Sequence, residues 1–262
     1  MGYDHIVAII PARIKSSRLP KKVLADIHGK PMVIRVAEKV KGAGINNIYI
    51  ATDSNEVTAV CKKFNFNYLL TPDAQTGSDR LAIAVKMLEL ADHQLILNIQ
   101  ADEPLIDPEI ISKLAEVIEK SVSKGILCAT AIGKISNTEN IFNPNVVKCV
   151  VDNNGLAHYF SRAAIPWFRE VYPNVGDDQF VNLISNSVYH HFGIYIYQAG
   201  LLKKYANLAF SKNEQAEKLE QLRILDNGYQ IQTVLVDAKP MPAVDTPEDL
   251  ELVRKIYLEQ NL

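Results

Sequence analysis

Arg13, Lys15, Arg18, Lys21 and Lys22 crowd one short segment, IIPARIKSSRLPKKVLADIHGKP, with Ser16 and Ser17 among them. Charged donors, hydroxyls and backbone amides in a single loop suit a polyphosphate, whose oxygens each accept several hydrogen bonds. The same composition also fits a solvated basic loop. The segment contains neither GxxxxGK[ST] nor GxGxxG, so it is neither a P-loop nor a dinucleotide fingerprint.

Two carboxylates stand out. LILNIQADEPLI puts Asp102 just past a buried apolar run, with Pro104 making a turn. MPAVDTPEDLELV puts Asp245 directly before Thr246, Pro247 and Asp249, a helix-capping signature. Carboxylates at a sheet's carboxyl edge can hold magnesium, which takes a few carboxylates together with phosphate oxygens. Each also reads as an acidic turn or a helix start. In LLTPDAQTGSDRL, Gly77 allows an unusual backbone angle and Ser78 can cap the next helix, while Arg80 is either solvated or a ligand contact.

The second half carries weaker signals. YFSRAAIPW holds Arg162, HHFGIYIY holds His191 and Tyr195, and KLEQLRIL holds Glu220, Gln221 and Arg223. Such residues are as readily structural: a histidine beside a strand, or Glu220 and Arg223 as a surface pair on a helix. No His, Cys and Asp spacing suggests zinc, and no nucleophile elbow occurs.

The elements that must position these residues follow from periodicity. His5–Ile10, Asn47–Ala51, Asn67–Leu70 and Leu95–Ile99 read as strands. Between them lie a helix through Met32, Val33, Val36 and Val40 ended by Gly42 and Gly44, a helix over Glu56–Phe64, and one through Leu81, Ala84, Val85 and Leu88. Asp107 and Pro108 start another helix. Alternating strands and helices predict a Rossmann-like α/β fold, with a mostly parallel sheet and helices on both faces. In such sheets ligands bind beyond the carboxyl ends of the strands, where the basic loop falls.

From about residue 127 the rhythm changes. Leu127–Ile132, Val146–Val151 and Tyr189–Tyr197 read as strands without regular crossover helices, a mixed-sheet extension. Pro166–Asn186 is polar and turn-rich and reads as a mobile loop. Helices follow near Lys203 and over Glu214–Leu225, then a strand at Ile231–Val236 and a closing helix at Pro247–Leu258. The reading is a single domain over 1–262, in which 1–125 holds the loop suited to a polyphosphate and 126–262 the mixed-sheet extension.

With 262 residues, 48% of them apolar, and a net charge of -2, the chain can bury a large core and presents no basic stripe for nucleic acid. Three scattered cysteines read as reduced thiols. The N-terminus lacks a signal-peptide pattern, and no apolar run approaches the roughly 18 residues of a membrane span. The expectation is a cytoplasmic protein without membrane insertion.

The motif PARxxSxRxPxK, continued by DIHGKPM, resembles the N-terminal signature of the sugar-acid cytidylyltransferase family, in the branch that acts on 3-deoxy-manno-octulosonate (Kdo). The later FSR, HxGIY and LEQLR segments resemble that family in the same order, over nearly the whole chain. The resemblance implies a nucleotide-diphospho-sugar transferase-like fold and transfer of CMP from CTP to the sugar's anomeric hydroxyl, for lipopolysaccharide biosynthesis, by a homodimer using Mg2+. It implies catalytic roles for Lys22, Arg13, Asp102 and Asp245, and nucleotide contacts from Pro11, Arg13, Arg18, Lys22, Thr76, Gly77, Ser78, Arg80 and Gln100. Asp102 and Asp245 become the magnesium ligands, and Arg162, His191, Tyr195, Glu220 and Gln221 the sugar-acid contacts. The chain departs from the family at Lys21 (often glycine), in TGSDRL against SGTERL, and at Ala101 in QADEP against QGDEP. Another sugar acid, such as 8-amino-Kdo or a sialic acid, or a non-catalytic nucleotide-binding role, is the alternative.

Overall fold

A computed structural model of the chain describes residues 3–135, 137, 139–169, 187–238 and 241–259. In chain order the strands are β1 (Ile6–Pro11), β2 (Asp26–Ile27), β3 (Lys30–Pro31), β4 (Asn47–Thr52), β5 (Asn67–Leu70), β6 (Leu95–Asn98), β7 (Cys128–Lys134), β8 (Lys148–Val151), β9 (Ala157–Ser161), β10 (Tyr189–Gln198) and β11 (Gln232–Val236). The helices are α1 (Met32–Gly42), α2 (Asn55–Lys63), α3 (Gly77–Met87), α4 (Pro108–Val122), α5 (Glu139–Phe142), α6 (Ala199–Tyr205), α7 (Lys212–Glu217), α8 (Gln221–Asp226) and α9 (Pro247–Glu259). Two compact units form. The first comprises Met1–Ser112, Ile194–Ala206 and Pro240–Leu262, and the second Lys113–Gly193 and Asn207–Lys239.

In the first unit β6, β1, β4 and β5 lie side by side and parallel, and the later part of β10 runs antiparallel to β6, with Tyr195 opposite Asn98. All six residues of β1 are buried, as a strand covered on both faces requires. The chain steps from β1 outward to β4 and β5, then returns through α3 to β6 on the other side of β1. Right-handed crossovers therefore place α1 and α2 on one face and α3 on the other. The order reverses between β1 and β6, which creates a switch-point crevice at their carboxyl ends. The basic loop leaves β1 there, and the Asp102 turn leaves β6 there.

Beneath this edge Ile27, Met32, Leu105, Val244, Leu250, Val253 and Tyr257 form one buried cluster. It docks the β2–β3 hairpin, the turn after β6 and α9 on one another. Arg254 donates to the carbonyl of Asp26, and Arg35 to those of Ile27 and His28, so both helices grip the hairpin backbone. The expected caps form: Asp107 Oδ1 accepts from Glu109 N at 2.9 Å, and Thr246 Oγ1 from Asp249 N at 3.2 Å.

In the second unit β7 and β11 pair in parallel, β8 and β9 form an antiparallel hairpin, and the start of β10 pairs antiparallel with β8. The expected helix over Glu214–Leu225 is two short helices. Lys218 adopts φ 55°, a left-handed conformation that ends α7 before α8 begins. Gly155 turns the β8–β9 hairpin at φ 76°. The loop expected over 166–186 lies outside the described residues from 170 onward.

Candidate active site

The basic loop is fixed at both ends. Pro11 closes β1, and a 3-10 turn over Lys22–Leu24 leads into the hairpin. Lys21 sits at φ 55° and sends its ammonium out to Glu56 Oε2 at 2.6 Å, in an exposed pair. Lys22 points the other way. Its Nζ lies 2.7 Å from Asp102 Oδ2 and 2.9 Å from Asp245 Oδ1. Arg18 Nη2 reaches Asp245 Oδ2 at 3.0 Å, and Arg13 is exposed nearby in sequence. The sequence left two lysines open; the loop's geometry puts Lys22 with the carboxylates and Lys21 at the surface.

Burial works against the charge of Lys22, but Asp102 and Asp245 prevail and hold its pKa above the ordinary lysine value. Burial also raises Asp245, yet Lys22 and Arg18 outweigh it and keep that carboxyl below the ordinary range. Glu103 differs: burial first, then the neighbouring Asp102, pushes its carboxyl up to about 8, so at neutral pH the protonated form prevails.

Two carboxylates converge on one ammonium. Asp102 and Asp245 supply a donor set that suits magnesium, a hard ion that draws its remaining ligands from water and phosphate. Among the described residues no three His, Cys, Asp or Glu side chains gather into a fuller metal cage.

The loop before α3 differs in detail from expectation. Thr76, not Ser78, is the cap: its Oγ1 accepts from Asp79 N at 3.1 Å and donates to Asp79 Oδ2 at 2.9 Å, so the hydroxyl is engaged within the helix start. Ser78 is buried in the first turn. Gly77 has no left-handed angle; it matters because a Cβ there would lie 3.3 Å from Gln100 Oε1. The glycine lets the Gln100 amide lie against the helix N-terminus, and the structure brings these two expected nucleotide contacts together. Ala101 is buried beside them, 4% exposed.

Arg80 is neither solvated nor turned outward. It is 2% exposed and donates to Asp53 Oδ2 at 2.9 Å and to Thr71 Oγ1 at 2.5 Å. Asp53 Oδ1 in turn accepts from the backbone of Ile14 at 3.3 Å, inside the basic loop. Asp53 went unremarked in the sequence, because an aspartate after a strand carries no signal until its partners are known.

The expected sugar-acid residues fall mainly in the second unit. Arg162 is held by protein carbonyls: Nε donates to Glu217 O at 2.8 Å and Nη1 to Pro144 O at 2.8 Å. Its backbone N–H meets Glu217 Oε2 at 2.9 Å. Nη2 makes no bond to a described residue. His191 is buried, with Nε2 3.1 Å from Thr130 Oγ1 and its ring edge-on to Phe160. Burial, then His190, lowers its pKa to about 3, so it is neutral at physiological pH. Gln221 is 8% exposed, and its Nε2 is buried without a partner among the described residues. Glu220 precedes it at the N-cap of α8. Arg223 is not half of a surface pair with Glu220. It makes a two-pronged ion pair with Glu214 at 2.8 and 2.7 Å, both residues buried. Tyr195, in the first unit, stacks on Tyr197 at 5.5 Å and is 7% exposed.

A basic loop and two carboxylates at the switch point of a mostly parallel sheet define a nucleotidyltransferase. The cytidylyltransferase family matches residues 7–231. The 3-deoxy-manno-octulosonate cytidylyltransferase of Francisella philomiragia is 46% identical, over 97% of this chain and 98% of its own length. The enzyme of that name from Yersinia enterocolitica is also 46% identical, over 97% and 99%. A solved CMP:2-keto-3-deoxy-manno-octonic acid synthetase complexed with CTP superposes with a TM-score of 0.86 at 37% identity, covering 98% of this chain and 99% of its own. A 4-diphosphocytidyl-2C-methyl-D-erythritol synthase, 13% identical with a TM-score of 0.62, shares the fold. The chain belongs to the cytidylyltransferase family and, within it, to the 3-deoxy-manno-octulosonate cytidylyltransferases.

Proposed function

We propose that this chain transfers CMP from CTP to the anomeric hydroxyl of Kdo, giving CMP-Kdo and pyrophosphate for lipopolysaccharide biosynthesis. The observation that carries the reading is the meeting of Lys22, Asp102 and Asp245 at the sheet's carboxyl edge in a chain of this family. The relative solved with CTP supports the choice of nucleotide.

The reaction needs no covalent enzyme intermediate. The sugar hydroxyl attacks the α-phosphorus in line; a new P–O bond forms, the bond to the β-phosphate oxygen breaks, and the hydroxyl proton passes to solvent. Catalysis rests on positioning and on charge stabilisation. Arg13, Arg18 and Lys22 neutralise phosphate oxygens, with Pro11 ending the strand that launches their loop. Gln100, Gly77, Thr76 and Ser78 line the approach to the base, and Arg80 supports them from beneath. Asp102 and Asp245 would hold magnesium, which when bound would supply Lewis-acid stabilisation of the phosphate charge and of the attacking hydroxyl's ionised form. Arg162 offers Nη2 to the sugar carboxylate, while the Gln221 amide, whose Nε2 has no partner among the described residues, reads hydroxyls with His191, Tyr195 and Glu220. We place the enzyme in the cytoplasm as a homodimer. No described helix is long and apolar enough to cross a membrane.

Pyrophosphate release with CTP, Mg2+ and Kdo, each omitted in turn, tests the reading. Release that needs all of them supports it. Release only with a sialic acid or 8-amino-Kdo keeps the chemistry and replaces the substrate.

A further inference from the structure

Lys148 on β8 is the one lysine among the described residues whose side chain is wholly buried, at 0% exposure. Lysine is rarely enclosed without a paired carboxylate, because removing its ammonium from water costs several kcal/mol (roughly) unless its protons find acceptors. Here the acceptors are backbone carbonyls. Nζ donates to Val146 O at 2.7 Å, to Arg162 O at 2.7 Å and to Asn143 O at 3.0 Å. An ammonium has one N–H for each, whereas a neutral amine would leave a carbonyl facing a lone pair. Burial lowers its pKa to about 8, with Glu217 opposing the fall and Arg162 adding to it, so the charged form prevails at neutral pH.

The three carbonyls are not a random set. Asn143 and Val146 bracket the loop whose Pro144 carbonyl takes Arg162 Nη1, and the third carbonyl is that of Arg162 itself. Lys148 therefore staples the acceptor of the guanidinium to the backbone that carries the guanidinium. From the other side Glu217 holds the Arg162 N–H and Nε. Between the two clamps the plane of the guanidinium is set, and with it the direction of the remaining nitrogen, Nη2.

We propose that Lys148 is a positioning residue for sugar-acid recognition, aiming Arg162 Nη2 through the carbonyl cage without touching substrate. This rests on the reading of Arg162 as the contact for the sugar carboxylate. Loss of the staple frees the Asn143–Val146 loop, withdraws the Pro144 acceptor and lets the guanidinium rotate. The consequence falls on capture of Kdo and leaves capture of CTP, in the other unit's basic loop, alone.

The test compares Lys148→Met with Arg162→Ala in steady-state pyrophosphate release with Mg2+, CTP and Kdo. Lys148→Met is expected to raise KM for Kdo about tenfold, as loss of an outer-shell support does, while KM for CTP stays within about twofold and kcat within about threefold. A folded Lys148→Met with KM for Kdo unchanged overturns the proposal; so does an equal loss in all three parameters, which a merely structural role gives. An Arg162→Ala variant with normal KM for Kdo instead removes the reading of Arg162 on which the proposal stands. Should Lys148→Met fail to fold, wild-type protein labelled at lysine nitrogens decides. The Lys148 Nζ resonance is expected to shift when Kdo joins the CTP-loaded enzyme and not when CTP binds alone. A resonance indifferent to Kdo overturns the proposal.

Discussion

The backbone N–H of Val244 donates to the carbonyl oxygen of Asp102 at 2.9 Å. The residue before Asp245 is thus bonded directly to the residue that carries the other carboxylate. Two further ties hold the junction. Tyr257 on α9 donates its hydroxyl to Pro104 O at 2.8 Å, and Asp249 Oδ2 accepts from the backbones of Asp245 and Thr246. The spacing of the two carboxylates is therefore a property of the backbone and not of side-chain rotamers alone.

Asp102→Ala and Asp245→Ala should each lower turnover by about a hundredfold or more, the scale of losing one preorganised charge-stabilising group. Neither should cost much stability, because the side chains are 28% and 43% exposed and Lys22 keeps the other carboxylate as a partner in each variant. Pyrophosphate release beside thermal melts separates the two effects. Wild-type turnover in either variant would reject that residue as a metal ligand.

Lys22 occupies the space between both carboxylates, so its ammonium competes with any cation placed there. Lys22→Met should lower the Mg2+ concentration for half-maximal activity while reducing kcat about a hundredfold, since the phosphates lose a charge-stabilising donor. Titrating Mg2+ against both proteins checks it. A higher Mg2+ requirement in the variant would show that the lysine supports the metal and does not displace it.

The first-unit fold was legible because its signals are local. Apolar runs alternate with helical spacing, and the Asp107 and Thr246 caps each announce themselves within four residues. The break between α7 and α8 was not legible, because Lys218 takes a left-handed angle that residue type does not favour. Nor were the roles of Arg80 and Arg223. Both arginines follow a loop or a polar helix face in sequence, and only tertiary contact reveals Asp53 and Glu214 as their buried partners. The family resemblance named candidate site residues; it could not say that Thr76 spends its hydroxyl on a cap or that Gly77 makes room for Gln100.

Asp53 joins Arg80, beneath the base loop, to Ile14 in the basic loop. Asp53→Ala leaves a guanidinium unpaired in a site where Arg80 is 2% exposed, and it should cost about 3–5 kcal/mol of stability. In the fraction that folds, KM for CTP should rise and KM for Kdo should not. Urea unfolding with steady-state kinetics reads both. A loss of stability with KM for CTP unchanged would confine the pair to a structural role.

Acid should destabilise the protein well above the carboxylate range. Burial lowers the pKa of His190 to about 4, with Lys148 adding to the effect, and that of His191 to about 3. An unfolded histidine titrates near about 6.5, so below that pH the unfolded chain binds protons that the folded chain refuses. Stability is then lost as pH falls, at a slope approaching about 1.4 kcal/mol per pH unit for each histidine, and the loss levels off once both folded groups titrate. Urea midpoints at pH 7, 6 and 5 measure it, and His190→Phe should flatten the slope. A stability constant from pH 7 to 5 would mean that both rings stay solvated.

Gly77 offers a test of base recognition that does not remove a contacting group. A Cβ there would stand 3.3 Å from Oε1 and 3.4 Å from Nε2 of Gln100, tighter than most packed contacts. Gln100 must give way, and its amide is the flexible partner, so Gly77→Ala should fold with a loss below about 1.5 kcal/mol. On the proposed reading, the displaced amide then loses its place against the base. KM for CTP should rise severalfold and the preference for CTP over UTP should narrow, because discrimination between bases rests on hydrogen-bonding groups held in place. Parallel kinetics with the two nucleotides decide the point. Unaltered discrimination in Gly77→Ala would take Gln100 out of base reading and leave that task to the backbone of the loop.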